Sequence, residues 1–333
     1  MKDDRRRLLF AVVAAFAAAL AGAAHAQQAA RISTPATGSV FHTIGVAISD
    51  MARKHANINS TVQPGGGSAA AMNGIAAKRF EFALSSAYIA ATAYQGGGRF
   101  KKPIAVRLIM QGQPSYRGMM VNKDANIRSF KDLIGATIAA DRPALPDLNL
   151  VFRAMAKVYG VPMDKFKVIR TTTLSEQEAA VRSGSAKAAV FGFGARAATI
   201  ARVLGTGAVV PFYMSESERD RLLGHLPKAM HWGKVPAGVW PEQTEDWHLV
   251  AMNALFVARG DVPAETVYQF VKAVLDHTDE FKTYHAAARA WTVKHSLDDV
   301  PLPFHEGAIR YYKEKGAWNS TLDAEQKGLL AGK

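Results

Sequence analysis

The chain has 333 residues, 49% of them hydrophobic, a formal net charge of +13 and no cysteine. That length is enough for two domains. The absence of cysteine excludes disulfides, a thiol nucleophile and a lipid-anchored N-terminal cysteine.

In chain order, Lys2, Arg5, Arg6 and Arg7 form a basic stretch that Asp3 and Asp4 only dilute, and residues 8–20 are a run of Ala, Val, Leu and Phe. Ala24-His25-Ala26 then fits a small-x-small cleavage site, so residues 1–26 read as a secretory signal peptide and Gln27 as the mature terminus. The apolar run falls short of the roughly 20 residues a spanning helix needs, and no later stretch reaches it. The expected product is a soluble protein of the periplasm. Its basic balance can mean a membrane surface or attraction of acidic solutes, and most of the charges are expected to be solvated faces. Nucleic acid is not expected as a partner, because no Lys/Arg run is interleaved with aromatics.

Residues 30–33 read as a strand, followed by a Gly/Ser/aromatic turn and a helix with Ile44, Ile48, Met51 and Ala52 on one face. Residues 59–62 are the next strand. Gly65-Gly66-Gly67-Ser68 opens a second helix with Met72, Ile75 and Ala76 inward, and residues 82–85 form a third strand before Ser86-Ala87-Tyr88. This order is βαβαβ, hence a parallel sheet with right-handed crossovers. Residues 104–110 and 117–121 read as two strands separated by a crossing segment, Gln111-Gly112-Gln113-Pro114-Ser115.

A second βαβαβ set follows, with strands at 136–140, 166–170 and 188–191. Its second helix is expected to be capped by Ser175 with Glu178. Residues 209–212 return the chain, 215–247 look irregular, and Pro263 starts a helix whose core face holds Val267, Phe270, Val271, Val274 and Leu275. The remainder to the C-terminus reads as mostly helical, wrapped on the first domain.

No Gly-x-Ser-x-Gly elbow, His-Glu-x-x-His or Walker loop is present. Gly65-Gly66-Gly67-Ser68 lacks the lysine of a P-loop, and Gly192-Phe193-Gly194 lacks the third glycine of a dinucleotide fingerprint. His225, His231 and His248 have no metal-like spacing. No catalytic residue, metal or cofactor is therefore expected.

Four loops fall at the carboxyl ends of parallel strands: around Ser39, around Gly66 to Ser68, at Ser85-Ser86, and at Asp141-Arg142. Ligands of open α/β sheets bind at those ends, and helix N-termini there favour anions. Ser39, Gly66, Gly67, Ser68, Ser85 and Ser86 are the expected hydrogen-bonding groups. Phe41 and His42 either wall a ligand or pack on the neighbouring helix, and Tyr88 is either a cleft wall or a core contact. Arg142, beside Asp141, either pairs with a carboxylate or is solvated. Trp240 is either a stacking lid or a core residue.

At these residues the chain resembles the TAXI family of TRAP-transporter solute-binding proteins. The similarity lies in Thr37-Gly38-Ser39-Val40-Phe41-His42-Thr43-Ile44-Gly45, in Gln63-Pro64-Gly65-Gly66-Gly67-Ser68 with Asn73 beyond it, and in Phe82-Ala83-Leu84-Ser85-Ser86-Ala87-Tyr88. The run Ile127-Arg128-Ser129-Phe130-Lys131-Asp132-Leu133-Ile134-Gly135 and the helix at 265–275 resemble the family too. The chain departs from it in having Phe-His where the family has Tyr-Tyr. It also has Asp141-Arg142-Pro143-Ala144-Leu145-Pro146-Asp147 where the family has a Gly-Ser-Gly-rich loop.

The resemblance implies a type II periplasmic binding protein fold: two α/β domains joined by a hinge, with the ligand cleft between them. Residues 27–116 and 209–333 would form domain I and residues 117–208 domain II, the chain crossing near Arg117 and near Val209. It implies a monomer that captures a small organic anion, carboxylate or amino-acid-like, by hinge closure and delivers it to integral-membrane TRAP transporter subunits. Two other readings stay open: an ABC-type receptor for an aromatic or sulfonate solute, and a periplasmic enzyme on the same scaffold.

Overall fold

The computed structural model describes residues 30–332 apart from Ala195 and Pro241. The expected signal peptide, 1–26, and its cleavage point lie outside the described residues.

Among the described residues ten strands form one mixed sheet. They are β1 Ala30–Thr34, β2 Ser60–Pro64, β3 Phe82–Ser86, β4 Val106–Asn122, β5 Thr137–Asp141, β6 Lys167–Arg170, β7 Ala188–Gly194, β8 Val209–Pro211, β9 His231–Val235 and β10 Trp247–Arg259. The main path runs β2-β1-β3-β10-β4-β7-β5-β6, with β8 paired to β4 and β9 to β10. The sheet thus has a parallel trio at each end, β2-β1-β3 and β7-β5-β6, joined by the long antiparallel pair β10 and β4.

The helices of the first βαβαβ set are α1 Val40–Ala56, α2 Ser68–Ala76 and α3 Ala87–Gln95; those of the second are α4 Asp147–Val158, α5 Leu174–Arg182 and α6 Ala198–Gly205. Ile44, Ile48, Met51 and Ala52 of α1 are fully buried, as a four-, seven- and eight-residue spacing requires of one helix face. Then come α7 Glu216–Leu223 and α8 Ala264–Leu275. Phe270 of α8 packs on Phe82 of β3 with ring centroids 4.6 Å apart, and Phe152 of α4 packs edge-on to Phe166 at 5.1 Å, so each trio has its own aromatic centre. No described helix is long and apolar enough to cross a membrane.

Four expectations are corrected. The strands expected at 104–110 and 117–121 are one strand, β4, and the supposed breaker between them lies inside it. Pro114 sits opposite Asn253 and Gln111 opposite Leu255, so three steps on β4 face two on β10, and the bulge absorbs the proline that would interrupt a regular ladder. The return near Val209 is not a crossing: β8 pairs with Met120 to Asn122 of β4, and β10 starts opposite β9. The chain goes back to the first trio only within β10, where Ala254 to Ala258 pair with β3.

The residues expected to be irregular contain α7, opened by a Ser215–Glu218 capping box, and β9. Finally α5 begins earlier than Ser175. Its cap is Thr173, whose hydroxyl accepts the Glu176 N–H at 3.1 Å, while the Glu176 carboxylate accepts the Thr172 N–H at 2.7 Å.

Candidate functional site

Three helices of the first half begin where a strand of the trio ends. Ser39 is in extended conformation before α1, and its hydroxyl accepts the His42 N–H at 3.2 Å, which satisfies one of the unpaired donors of the first turn. Gly67 caps α2 with φ of 95°, a left-handed value that favours glycine. A Cβ there would stand 3.0 Å from the carbonyl oxygen of Ala144, so this loop lies against the loop after β5. Ser86 caps α3. Its N–H donates to the Ser68 hydroxyl at 3.2 Å, and its own hydroxyl oxygen is buried without a protein partner.

These loops and those of the second half enclose a cavity of about 370 Å³, within the range of small-ligand sites. Ser115 and Arg117 of β4, Arg142, Ala144 and Leu145 after β5, Thr172 and Thr173 before α5, and Phe193 and Gly194 of β7 complete its wall.

Its charge is set by two arginines. Arg117 is buried; its Nε donates to the Asp147 carboxylate, and its Nη1 donates to Ser115 Oγ at 2.9 Å and to the Tyr116 carbonyl at 2.8 Å. Arg142 is different: its Nε and Nη1 are buried and have no protein partner. Burial pushes its guanidinium pKa down and nearby Arg117 adds to that, with Asp147 opposing. An arginine stays charged under such a shift, so an uncompensated cation faces the cavity.

Of the residues expected from the sequence, Ser39, Phe41, Gly66, Gly67, Ser68, Ser86 and Arg142 line this cavity. The other four are placed elsewhere. The His42 ring Nδ1 is bonded to Thr34 Oγ1 at 2.8 Å. Ser85 is fully buried in β3, on the opposite pleat from Ser86, with its hydroxyl donating to the Ser86 carbonyl at 3.3 Å. Tyr88 is half-buried against the core, and that burial pushes its phenol pKa up. Asp141 accepts from Arg170 Nε at 2.9 Å.

Trp240 is a buried residue set edge-on to Phe193 at 5.5 Å, so it backs the cavity wall without forming it. Sequence reasoning missed Ser115, Arg117, Thr172, Thr173 and Phe193 as wall residues. β4 holds two cations, Arg107 near its start and Arg117 beside the apolar Met119, Met120 and Val121, and that inner position was the available signal for Arg117. No group of His, Cys, Asp and Glu able to hold a metal occurs among the described residues.

The chain is similar in fold to several solved structures. A Bordetella bronchiseptica RB50 protein matches with a TM-score of 0.54 at 12% identity, covering 86% of this chain and 98% of that one. A Xanthomonas citri protein solved with ATP matches with a TM-score of 0.53 at 8% identity and the same shares, 86% and 98%. A protein solved with L-arginine matches with a TM-score of 0.50 at 13% identity, covering 80% and 90%. At such identities the likeness concerns architecture alone. The model of the NMT1-like family matches residues 32–316, nearly all of the described chain, and its description does not name the TAXI group that the motifs resemble. The chain therefore belongs to the NMT1-like family.

Proposed function

We propose that this protein is an exported solute-binding protein that captures a small organic anion between the two halves of its sheet. The observation that carries this reading is Arg142: a guanidinium with two buried, unpartnered N–H-bearing nitrogens on the wall of a small-ligand cavity. A buried charge without a partner is costly, and a carboxylate or similar anion relieves that cost with charge-assisted hydrogen bonds. The N-termini of α1, α2 and α3 add oriented N–H groups from the opposite wall. The hydroxyls of Ser68, Ser86 and Ser115 complete a set suited to holding an anion.

Recognition and hinge motion make up the mechanism. The two halves act as lobes that pivot where β4 and β10 pass between the trios. The walls meet at the rim, where Gly67 lies against Ala144 and the Arg99 guanidinium donates to the Pro143 carbonyl. A ligand enters when they part and is enclosed when they close. The monomer then delivers its anion to the integral-membrane subunits of a TRAP-type transporter, the partner that the motif resemblance implies.

Calorimetry on Arg142→Gln tests the binding role: affinity for an organic anion falls tenfold or more, about 1.4 kcal/mol. Unchanged affinity removes Arg142 from the site. Uptake in vesicles carrying the candidate permease tests the partner, since a requirement for ATP hydrolysis would assign an ABC transporter instead.

A further inference from the structure

We infer that the captured anion carries no ammonium group and has a sizeable apolar body: an aryl or branched-alkyl monocarboxylate rather than an amino acid. This rests on the anion-binding reading above.

The argument is one of charge. The cavity wall carries two guanidinium groups and several hydroxyls, but among the described residues no Asp or Glu lines it. The acids close to it in sequence are already committed. Asp141 accepts from Arg170 at 2.9 Å, and Glu176 accepts from the N–H and the hydroxyl of Thr172, each at 2.7 Å. Asp147 pairs with Arg117. Its second oxygen is buried without a partner, but the residue has no exposed surface and is not part of the wall. An α-ammonium brought here would lose its water and meet the unpaired charge of Arg142 with no carboxylate on the wall to receive it, which disfavours the charged form strongly. Arg117 and Arg142 against Asp147 leave one positive charge, which one carboxylate balances. A second carboxylate would go uncompensated.

The apolar body follows from size and lining. About 370 Å³ is the volume of roughly a dozen waters at ~30 Å³ each, far more than a carboxylate fills. Val40, Phe41, Leu145, Leu174 and Phe193 line the space that remains. Contact with apolar ligand surface there is favourable, whereas trapped water gains few hydrogen bonds.

Titration calorimetry with matched ligands tests the inference: 3-phenylpropanoate, L-phenylalanine, phenylsuccinate and 3-phenylpropanamide, with 4-methylpentanoate and L-leucine as the branched-alkyl pair. The expected result is that at least one monocarboxylate binds tenfold or more tightly than its amino acid, the dicarboxylate and the amide. An amino acid or dicarboxylate that binds as well as its monocarboxylate overturns the inference and leaves anion capture standing, provided the amide stays weak. An amide that matches the acid overturns anion capture itself, and the inference with it. Failure of both monocarboxylates to bind overturns the proposed class.

Discussion

The indole of Trp291 fills the space beside Gly112 that any side chain there would need. A Cβ on Gly112 would lie 2.1 Å from both Cε2 and Nε1 of that ring. Gly112 is in the bulged middle of β4, where the sheet passes from one trio to the other. The ring Nε1 donates to Gln113 Oε1 at 2.5 Å, and the Gln111 side chain donates to the His295 carbonyl at 3.0 Å. The segment after α8 therefore grips the crossing strand at its least regular point.

Gly112→Ala should consequently destabilise the fold by about 1–3 kcal/mol, because the added methyl overpacks a site closed by a buried ring. Urea denaturation measures this. A midpoint equal to that of the parent would mean that the indole moves aside freely.

Asp147→Ala removes the carboxylate that neutralises Arg117 in a place where neither side chain reaches solvent. Leaving that guanidinium buried and unpaired should cost about 3–5 kcal/mol. A loss below about 1 kcal/mol in the same denaturation experiment would show that water solvates Arg117.

Gly67→Ala introduces a side chain at a left-handed φ and pushes it towards the Ala144 carbonyl, 3.0 Å away. Backbone strain of this kind costs on the order of 1–3 kcal/mol, and the contact with Ala144 weighs on the closed form in particular. Ligand affinity should fall by about tenfold. Unchanged affinity would deny the loop contact any role in closure.

Glu81 links acid stability to the first trio. Its carboxylate accepts from Arg31 Nη2 at 2.7 Å, Arg31 Nε at 3.0 Å and Arg259 Nη1 at 3.3 Å. Burial alone would raise its pKa, but the hydrogen bonds and charge of Arg31, with Arg259, outweigh it, so the folded value lies below the ordinary 4.5. The stability it contributes is therefore complete above the unfolded pKa and is lost as pH falls through the lower folded value. Glu81→Gln should be less stable than the parent at pH 7, and the gap should narrow as the pH falls below 4.5. A stability gap that stays constant across that window would remove Glu81 from the acid response.

Much of the architecture was legible in local pattern. The spacing in α1 identified its buried face, and the Ser39 and Ser68 loops stood out because glycine and serine at a strand-to-helix turn leave N–H groups free. Seven of the residues expected at the site line the cavity. The errors have physical causes. Gln111 to Ser115 reads as a break because glycine and proline interrupt a ladder, but the bulge opposite Asn253 and the Trp291 ring hold it in the sheet. Ser175 and Thr173 both satisfy the capping-box pattern three residues ahead of a glutamate, and only the backbone shows which one starts the helix.

The sequence by itself determined two βαβαβ sets and the loops that end their strands, because periodicity and turn chemistry are local properties. The tertiary structure alone decided which cation faces the cavity without a partner. Arg117 and Asp147 are 30 positions apart and neutralise one another only because the fold brings them together, leaving Arg142 as the charge without a partner. It likewise decided that Ser86 and not Ser85 faces the cavity, since neighbouring residues of a strand point to opposite faces and only the register against β10 says which face is which.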